Sequence, residues 1–231
     1  MTYRMSIFRR RPDLSEAEFQ AYWRDVHAPI AVTIPALQRY EQNCAVQHHR
    51  SGDAALSASA DGFCKLQFPS EEAMQGVMSP DLIRVLKDDE AQFLEGLRTF
   101  VIRPSEIVPL GDGAETKLVA LVTRRRDLDA GSFEQRWRGA FADWVAAQDG
   151  IAGYTQNAVT ARTVARQAAS YDEAPVDCID ELWLTHAAGS DAARALIRSF
   201  EEQAATHAAA LDIAVVVVNV PPIPGAEQAH G

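Results

Sequence analysis

Sliding the chain by 114 residues lays Arg10-Arg-Pro-Asp-Leu14 over Arg124-Arg-Arg-Asp-Leu128, and no other feature of the sequence restricts the fold as much. The match continues without a gap: Phe19 meets Phe133, Trp23 meets Trp137, Arg24 meets Arg138, Ala28 meets Ala142, and Tyr40, Gln42 and Asn43 meet Tyr154, Gln156 and Asn157. Eleven identities between positions 10 and 43 point to an internal duplication, and a repeat of this length sets the architecture before any single element is read.

Hydrophobic periodicity gives each half the same element order. TYRMSIFRR alternates as a strand, and Leu14 to about Ile34 reads as a helix with Ser15 as N-cap and Glu18 three residues on. QRYEQNCAVQHH and GFCKLQF follow as strands around a loop at 51–61. Ser70 to Leu97 is helical with a break near Ser79-Pro80, and TFVIRPSEIV closes the unit as a strand. The second half repeats this with KLVALVTRR, a helix over 130–147, YTQNAVTARTV, CIDELWL, a helix over 191–210 and IAVVVVNV. The expected fold class is α+β: two tandem ferredoxin-like βαββαβ repeats, 1–108 and 116–222, joined by the Gly- and Pro-bearing linker 109–115 and followed by a mobile tail, 223–231. Each sheet carries helices on one face only, so the two bare faces are expected to pack sheet to sheet as an intramolecular pseudo-dimer. Whether a further homodimer forms stays open.

Composition narrows the partners. A formal net charge of −10 argues against nucleic acid and anionic membranes, since a phosphate backbone attracts basic surfaces. The longest apolar run, Ile213–Val218, is far short of the roughly 20 residues that span a bilayer. MTYRMSIFRR lacks the apolar stretch of a secretory signal, so a cytoplasmic location is expected. Cys44, Cys64 and Cys178 lack metal-binding spacing and read as small buried hydrophobes.

The run F-x-x-Y-W-x-x-x-H-A-P (Phe19 to Pro29), with Pro35, Leu37, Arg39-Tyr40 and Gln42-Asn43 after it, resembles the EthD-like family of the dimeric α+β barrel superfamily. The first half carries the whole pattern and the second only its scaffold. The resemblance implies a pocket between sheet and helices, small hydrophobic or aromatic ligands, and cofactor-free chemistry of the dehydratase, decarboxylase, cyclase or isomerase kind.

His27 is the leading candidate for that chemistry. It ends the apolar stripe Phe19, Trp23, His27, and the matching position of the second half holds Phe141, similar in shape but without a titratable group. An imidazole moves protons near neutral pH, so His27 is expected to act as general acid/base facing a pocket. Tyr40 is the second catalytic candidate, to orient a substrate oxygen, with Trp23 and Phe19 as pocket walls. Tyr40 and Asn43 stand three apart on a strand and point to opposite faces, so at most one shares a pocket with His27. Arg10, opposite in facing to Arg9 and Arg11, is a candidate anchor for a substrate carboxylate. His48 and His49 are adjacent on a strand and face opposite ways, so no metal site is expected, and no cofactor.

The favoured reading is a cofactor-independent lyase or isomerase, decarboxylase or dehydratase first, on a small aromatic, lactone or polyketide-like compound. The alternatives are a non-catalytic binding protein for a hydrophobic small molecule and, third, a haem-dependent enzyme with His27 as axial ligand.

Overall fold

A computed structural model of the chain describes residues 1–56, 60–75 and 78–224. Part of the 51–61 loop, the stretch just before Ser79-Pro80 and most of the tail read from the sequence therefore lie outside the described residues. The first half runs β1 (Thr2–Arg10), α1 (Glu16–Tyr22), a π-helical turn (Trp23–His27), α2 (Ala28–Ala31), β2 (Arg39–Gly52), β3 (Gly62–Phe68), α3 (Glu71–Gln75), α4 (Pro80–Phe93) and β4 (Leu94–Val108). The second runs β5 (Thr116–Arg124), α5 (Ala130–Arg136), a second π-helical turn (Trp137–Phe141), α6 (Ala142–Ala146), β6 (Ile151–Val164), β7 (Gln167–Ala168), β8 (Cys178–Leu184), α7 (Asp191–Ala204) and β9 (Ala208–Asn219). Ser15 caps α1, and Glu18 returns a hydrogen bond to the Ser15 backbone, which satisfies donors the first turn would otherwise leave open.

All strand pairs are antiparallel, in the order β4-β1-β3-β2-β9-β5-β8-β6, and β6 pairs back onto β4. The sheet therefore closes into an eight-stranded barrel, with β7 added outside β6. Here the structure refines the sequence reading. The two halves do face each other, but they also join along their edges, β2 to β9 and β4 to β6, so the barrel leaves no long strand unpaired. The helix read over 191–210 ends at Ala204, because Ala208–Asn219 is committed to pairing with β2 and β5.

Strand alternation sorts the side chains into three layers. Met5, Ile7, Phe63, Phe100, Ile102, Val119, Leu121, Ile179, Ala214 and Val216 fill the barrel. Phe8, Tyr40, Cys64 and Leu66 point out beneath the first half's helices, and Leu118, Tyr154 and Leu182 beneath the second's. The barrel also encloses charge. Lys117 bridges Glu41 and Glu181, and Glu181 is held in turn by Lys65. Burial opposes the charges on both Glu181 and Lys117. The lysines overcome it and hold the Glu181 carboxyl well below its usual range, while the carboxylates carry the Lys117 ammonium above its own. Among the described residues, no helix is long and apolar enough to cross a membrane.

Candidate functional site

His27 sits at the end of the π-helical turn, buried to 6% exposure, where the wider turn swings its ring over the outer face of β1 and β3. It lines a cavity of about 550 Å³, within the range of small-molecule sites. The floor is Arg4 and Ser6 from β1 and Thr99 and Val101 from β4. Ala31, Met74 and Leu86 form part of the apolar roof, and Arg166, in the β6–β7 turn, closes one side. A pocket laid over the first half is thus completed by the second.

The imidazole is oriented. Nδ1 lies 2.6 Å from Asp89 Oδ2, and Tyr22 donates to Asp89 Oδ1 at 3.0 Å. A carboxylate acceptor assigns the proton to Nδ1, leaving the Nε2 lone pair for the cavity, where it meets no partner among the described residues. Phe93 stands against the ring at 5.1 Å between centroids. The carboxylate behind the ring fixes its tautomer and orientation.

Arg4 supplies the other half of the site. Its Nε is buried without a hydrogen-bond partner, and its guanidinium makes no ion pair among the described residues. Burial draws Arg4 below its usual range; Arg166 acts in the same sense, while Cys64 and Glu90 oppose it. Arg166 is tied to Glu90. The lining thus holds the guanidinium groups of Arg4, Arg162 and Arg166 and the Lys87 ammonium against one carboxylate, Glu90, and the cavity is locally cationic in an acidic chain. Arg166 and its neighbour Ala165 are held at φ of 67° and 47°, values that non-glycine residues seldom adopt.

The other sequence-derived candidates take different places. Tyr40 lines the cavity, but its hydroxyl accepts from Trp23 Nε1 at 2.8 Å and from Gln42 Nε2 at 3.0 Å. Burial raises its phenol well above the usual range, so it holds the framework as a neutral group. The second half repeats this arrangement: Gln156 donates to the Tyr154 hydroxyl at 2.8 Å, while Tyr154 and Trp137 both donate to Asp180. Trp23 and Phe19 are core residues packed on each other and on Phe8 and Phe93, outside the cavity lining. Asn43 points into the barrel, bonded to Glu41 and the Phe63 carbonyl. Arg10 is no anchor in this cavity, because it turns to Asp61 at 3.4 Å. The arginine of this strand that faces the site is Arg4, six residues earlier. Asp89, in the charged run Lys87–Glu90, reads from sequence as a solvated face. Its one clue is spacing, three after Leu86 and four before Phe93, both on the buried stripe of α4.

Among the described residues, the matching place in the second half is nearly filled. Leu118 stands 114 residues after Arg4 and Phe141 the same distance after His27. Phe141 stacks on Trp137 with 3.8 Å between ring centroids, and the hollow lined by Leu118 and Val145 holds about 10 Å³.

No curated protein matches the chain in sequence. Among solved structures, an anthrone oxidase-like protein superposes with a TM-score of 0.63 at 10% identity, over 99% of this chain and 96% of that one. A candidate monooxygenase from Fusobacterium nucleatum gives 0.56 at 9% identity, over 95% and 93%. At such identities the likeness concerns the fold alone, an α+β barrel. Residues 11–96, the stretch that contains His27 and Asp89, match the EthD domain model.

Proposed function

We propose that the chain is a cofactor-independent enzyme of proton transfer, a lyase or isomerase acting on a small aromatic, lactone or polyketide-like compound that carries or develops negative charge on oxygen. His27 is the general acid/base through Nε2, Asp89 orients it and balances its charge, and Arg4 holds the substrate oxyanion or carboxylate. The observation that carries this reading is the coexistence, in one cavity, of a guanidinium with no ion pair among the described residues and a carboxylate-backed imidazole, both of them replaced by hydrocarbon side chains at the matching positions of the other half. A half-buried guanidinium that rests over the Phe68 ring at 5.9 Å and makes no ion pair among the described residues is placed to take an anionic ligand.

In this reading Nε2 removes a proton from an acidic C–H or O–H, and the anion is stabilised by Arg4. Return of the proton at another atom gives isomerisation. Loss of a β-hydroxyl gives dehydration. Loss of CO2 from a carboxylate, followed by protonation from the imidazolium, gives decarboxylation. The same anion meeting O2 would give the oxidase-type outcome suggested by the names of the fold relatives. We further propose that the halves 1–108 and 116–222 are copies of one ferredoxin-like unit, of which only the first kept an open site.

The test follows the proton, which all these outcomes share. A panel of phenolic, β-keto and aromatic acids is incubated with protein in D2O, and deuterium incorporation, CO2 release, absorbance change and O2 uptake are recorded. Enzyme-dependent deuterium exchange or turnover of at least one oxyanion-forming member is expected. Binding without exchange across the panel would make the chain a carrier and contradict the catalytic reading.

A further inference from the structure

The second half has a cavity of its own, elsewhere. It measures about 320 Å³ and lies between α5 and the β4–β6 edge, with Phe133, Trp137, Ala158, Cys178 and Gln156 around it and Arg103 and Arg138 at the rim. Its origin can be read against the first half. There, Trp23 lies directly on Gly62, where an added Cβ would come within 2.6 Å of the indole. Register places Cys178 at the matching position, since Gly62 pairs with Cys44 as Cys178 pairs with Ala158. A side chain there denies Trp137 that seat. Trp137 instead stacks on Phe141, and space opens beside it.

One polar atom of the lining residue Gln156 lacks a hydrogen-bond partner among the described residues. Gln156 is 1% exposed, and its Nε2 donates to the Trp137 carbonyl and the Tyr154 hydroxyl, both at 2.8 Å. The Trp137 carbonyl accepts only, so the amide cannot be turned round, and Oε1 remains buried and unbonded. In the first half the equivalent oxygen, Gln42 Oε1, accepts from Asn219 Nδ2 at 2.6 Å. The strand residue opposite Gln156 is Ser105, 114 residues before Asn219, and its short hydroxyl accepts from Arg138 instead. The first half therefore fills with its own asparagine a position that the second leaves vacant.

We infer that this cavity is a second ligand site, for a small neutral aromatic molecule that donates an O–H or ring N–H to Gln156 Oε1 while its ring packs against Trp137 and Phe133. The donor is neutral because the acceptor is an uncharged amide and the charged groups of the lining are already paired, Arg103 and Arg138 with Glu134 and Asp177 with Arg124. A buried acceptor built for a donor discriminates strongly against a ligand that lacks one.

The experiment uses p-cresol, which donates, and 4-methylanisole, which does not. Binding is followed through the indole N–H resonances of the intact protein, where Trp137 reports this cavity and Trp23, bonded to Tyr40, reports the His27 cavity. The expectation is a saturable shift of the Trp137 signal with p-cresol and at least tenfold weaker response to 4-methylanisole. Ser105→Asn, which copies Asn219, should weaken p-cresol at least tenfold at Trp137 with an unchanged melting temperature. Absence of a Trp137 shift, equal response to both compounds, or unaltered p-cresol binding in a folded Ser105→Asn protein would each overturn the assignment. The comparison of the two probes on the natural chain decides the matter even if the variant folds poorly.

Discussion

Asp89 Oδ2 lies 2.6 Å from His27 Nδ1, and that contact determines which ring nitrogen is offered to the cavity. Replacing the carboxylate by an amide keeps the shape and removes the charge that stabilises imidazolium. Asp89→Asn is therefore expected to lower turnover by about 100-fold or more. Affinity for the substrate, held by Arg4, should change less than threefold. Steady-state kinetics and direct binding measurements on the same variant separate the two.

Arg4→Leu, which copies Leu118, removes a half-buried cation whose Nε is buried without a hydrogen bond and which has no ion-pair partner among the described residues. Stability and binding should move in opposite directions. Stability should rise by about 1–3 kcal/mol as the desolvated charge is lost. Affinity for an anionic substrate should fall at least 100-fold. Chemical denaturation and calorimetric titration measure the pair.

The β6–β7 turn places Ala165 and Arg166 at positive φ without a glycine or asparagine. Asn-Gly at these positions suits a two-residue hairpin of this hand, so the double change Ala165→Asn/Arg166→Gly should stabilise the fold by about 1 kcal/mol or more, less the lost Glu90 ion pair. It should also weaken substrate binding, because Arg166 no longer walls the cavity or neutralises Glu90. Thermal melting and substrate affinity, measured together, check this.

Lys117 is the hub of the charge cluster inside the barrel. Lys117→Met would leave Glu41 and Glu181 close together with one cation fewer, and a loss of about 3–5 kcal/mol is expected. Urea unfolding at neutral pH gives the value.

Burial pushes the Asp180 carboxyl up to about 7, with Glu181 adding to it, against hydrogen bonds from Cys178, Tyr154 and Trp137. The unfolded chain ionises this group near pH 4, so between about pH 4 and 7 the folded state retains a proton that the unfolded state has lost. Its contribution to stability is complete below pH 4 and is lost as pH rises through 7. The difference in unfolding free energy between the natural chain and Asp180→Asn should therefore shift with pH across that window, against the natural chain, by up to about 4 kcal/mol. Urea melts at four pH values test the sign.

Much of the fold was legible because its signals are local or repeated. GFCKLQF and CIDELWL have the bounds read from sequence, and Ser15 and Glu18 form the capping box that their spacing suggests. The 114-residue match also isolated His27 against Phe141. What escaped were relationships set by closure of the barrel. Arg4 reads as an ordinary polar strand residue until the face it shares with Ser6 is seen to be roofed by helices. Asp89 is camouflaged by Asp88 and Glu90. Arg166 reaches the cavity only because β6 pairs with β4, a contact between distant halves that no local pattern encodes.

The most direct test concerns His27. Phenylalanine would strand the buried Asp89 carboxylate and confuse loss of function with loss of fold. Asparagine offers Asp89 an N–H in place of Nδ1 and nothing that can accept and carry a proton. Deuterium exchange into the substrate, measured for the natural chain and for His27→Asn at saturating substrate, should fall by about 100-fold or more with binding preserved. An exchange rate within fivefold of the natural chain's would contradict the account.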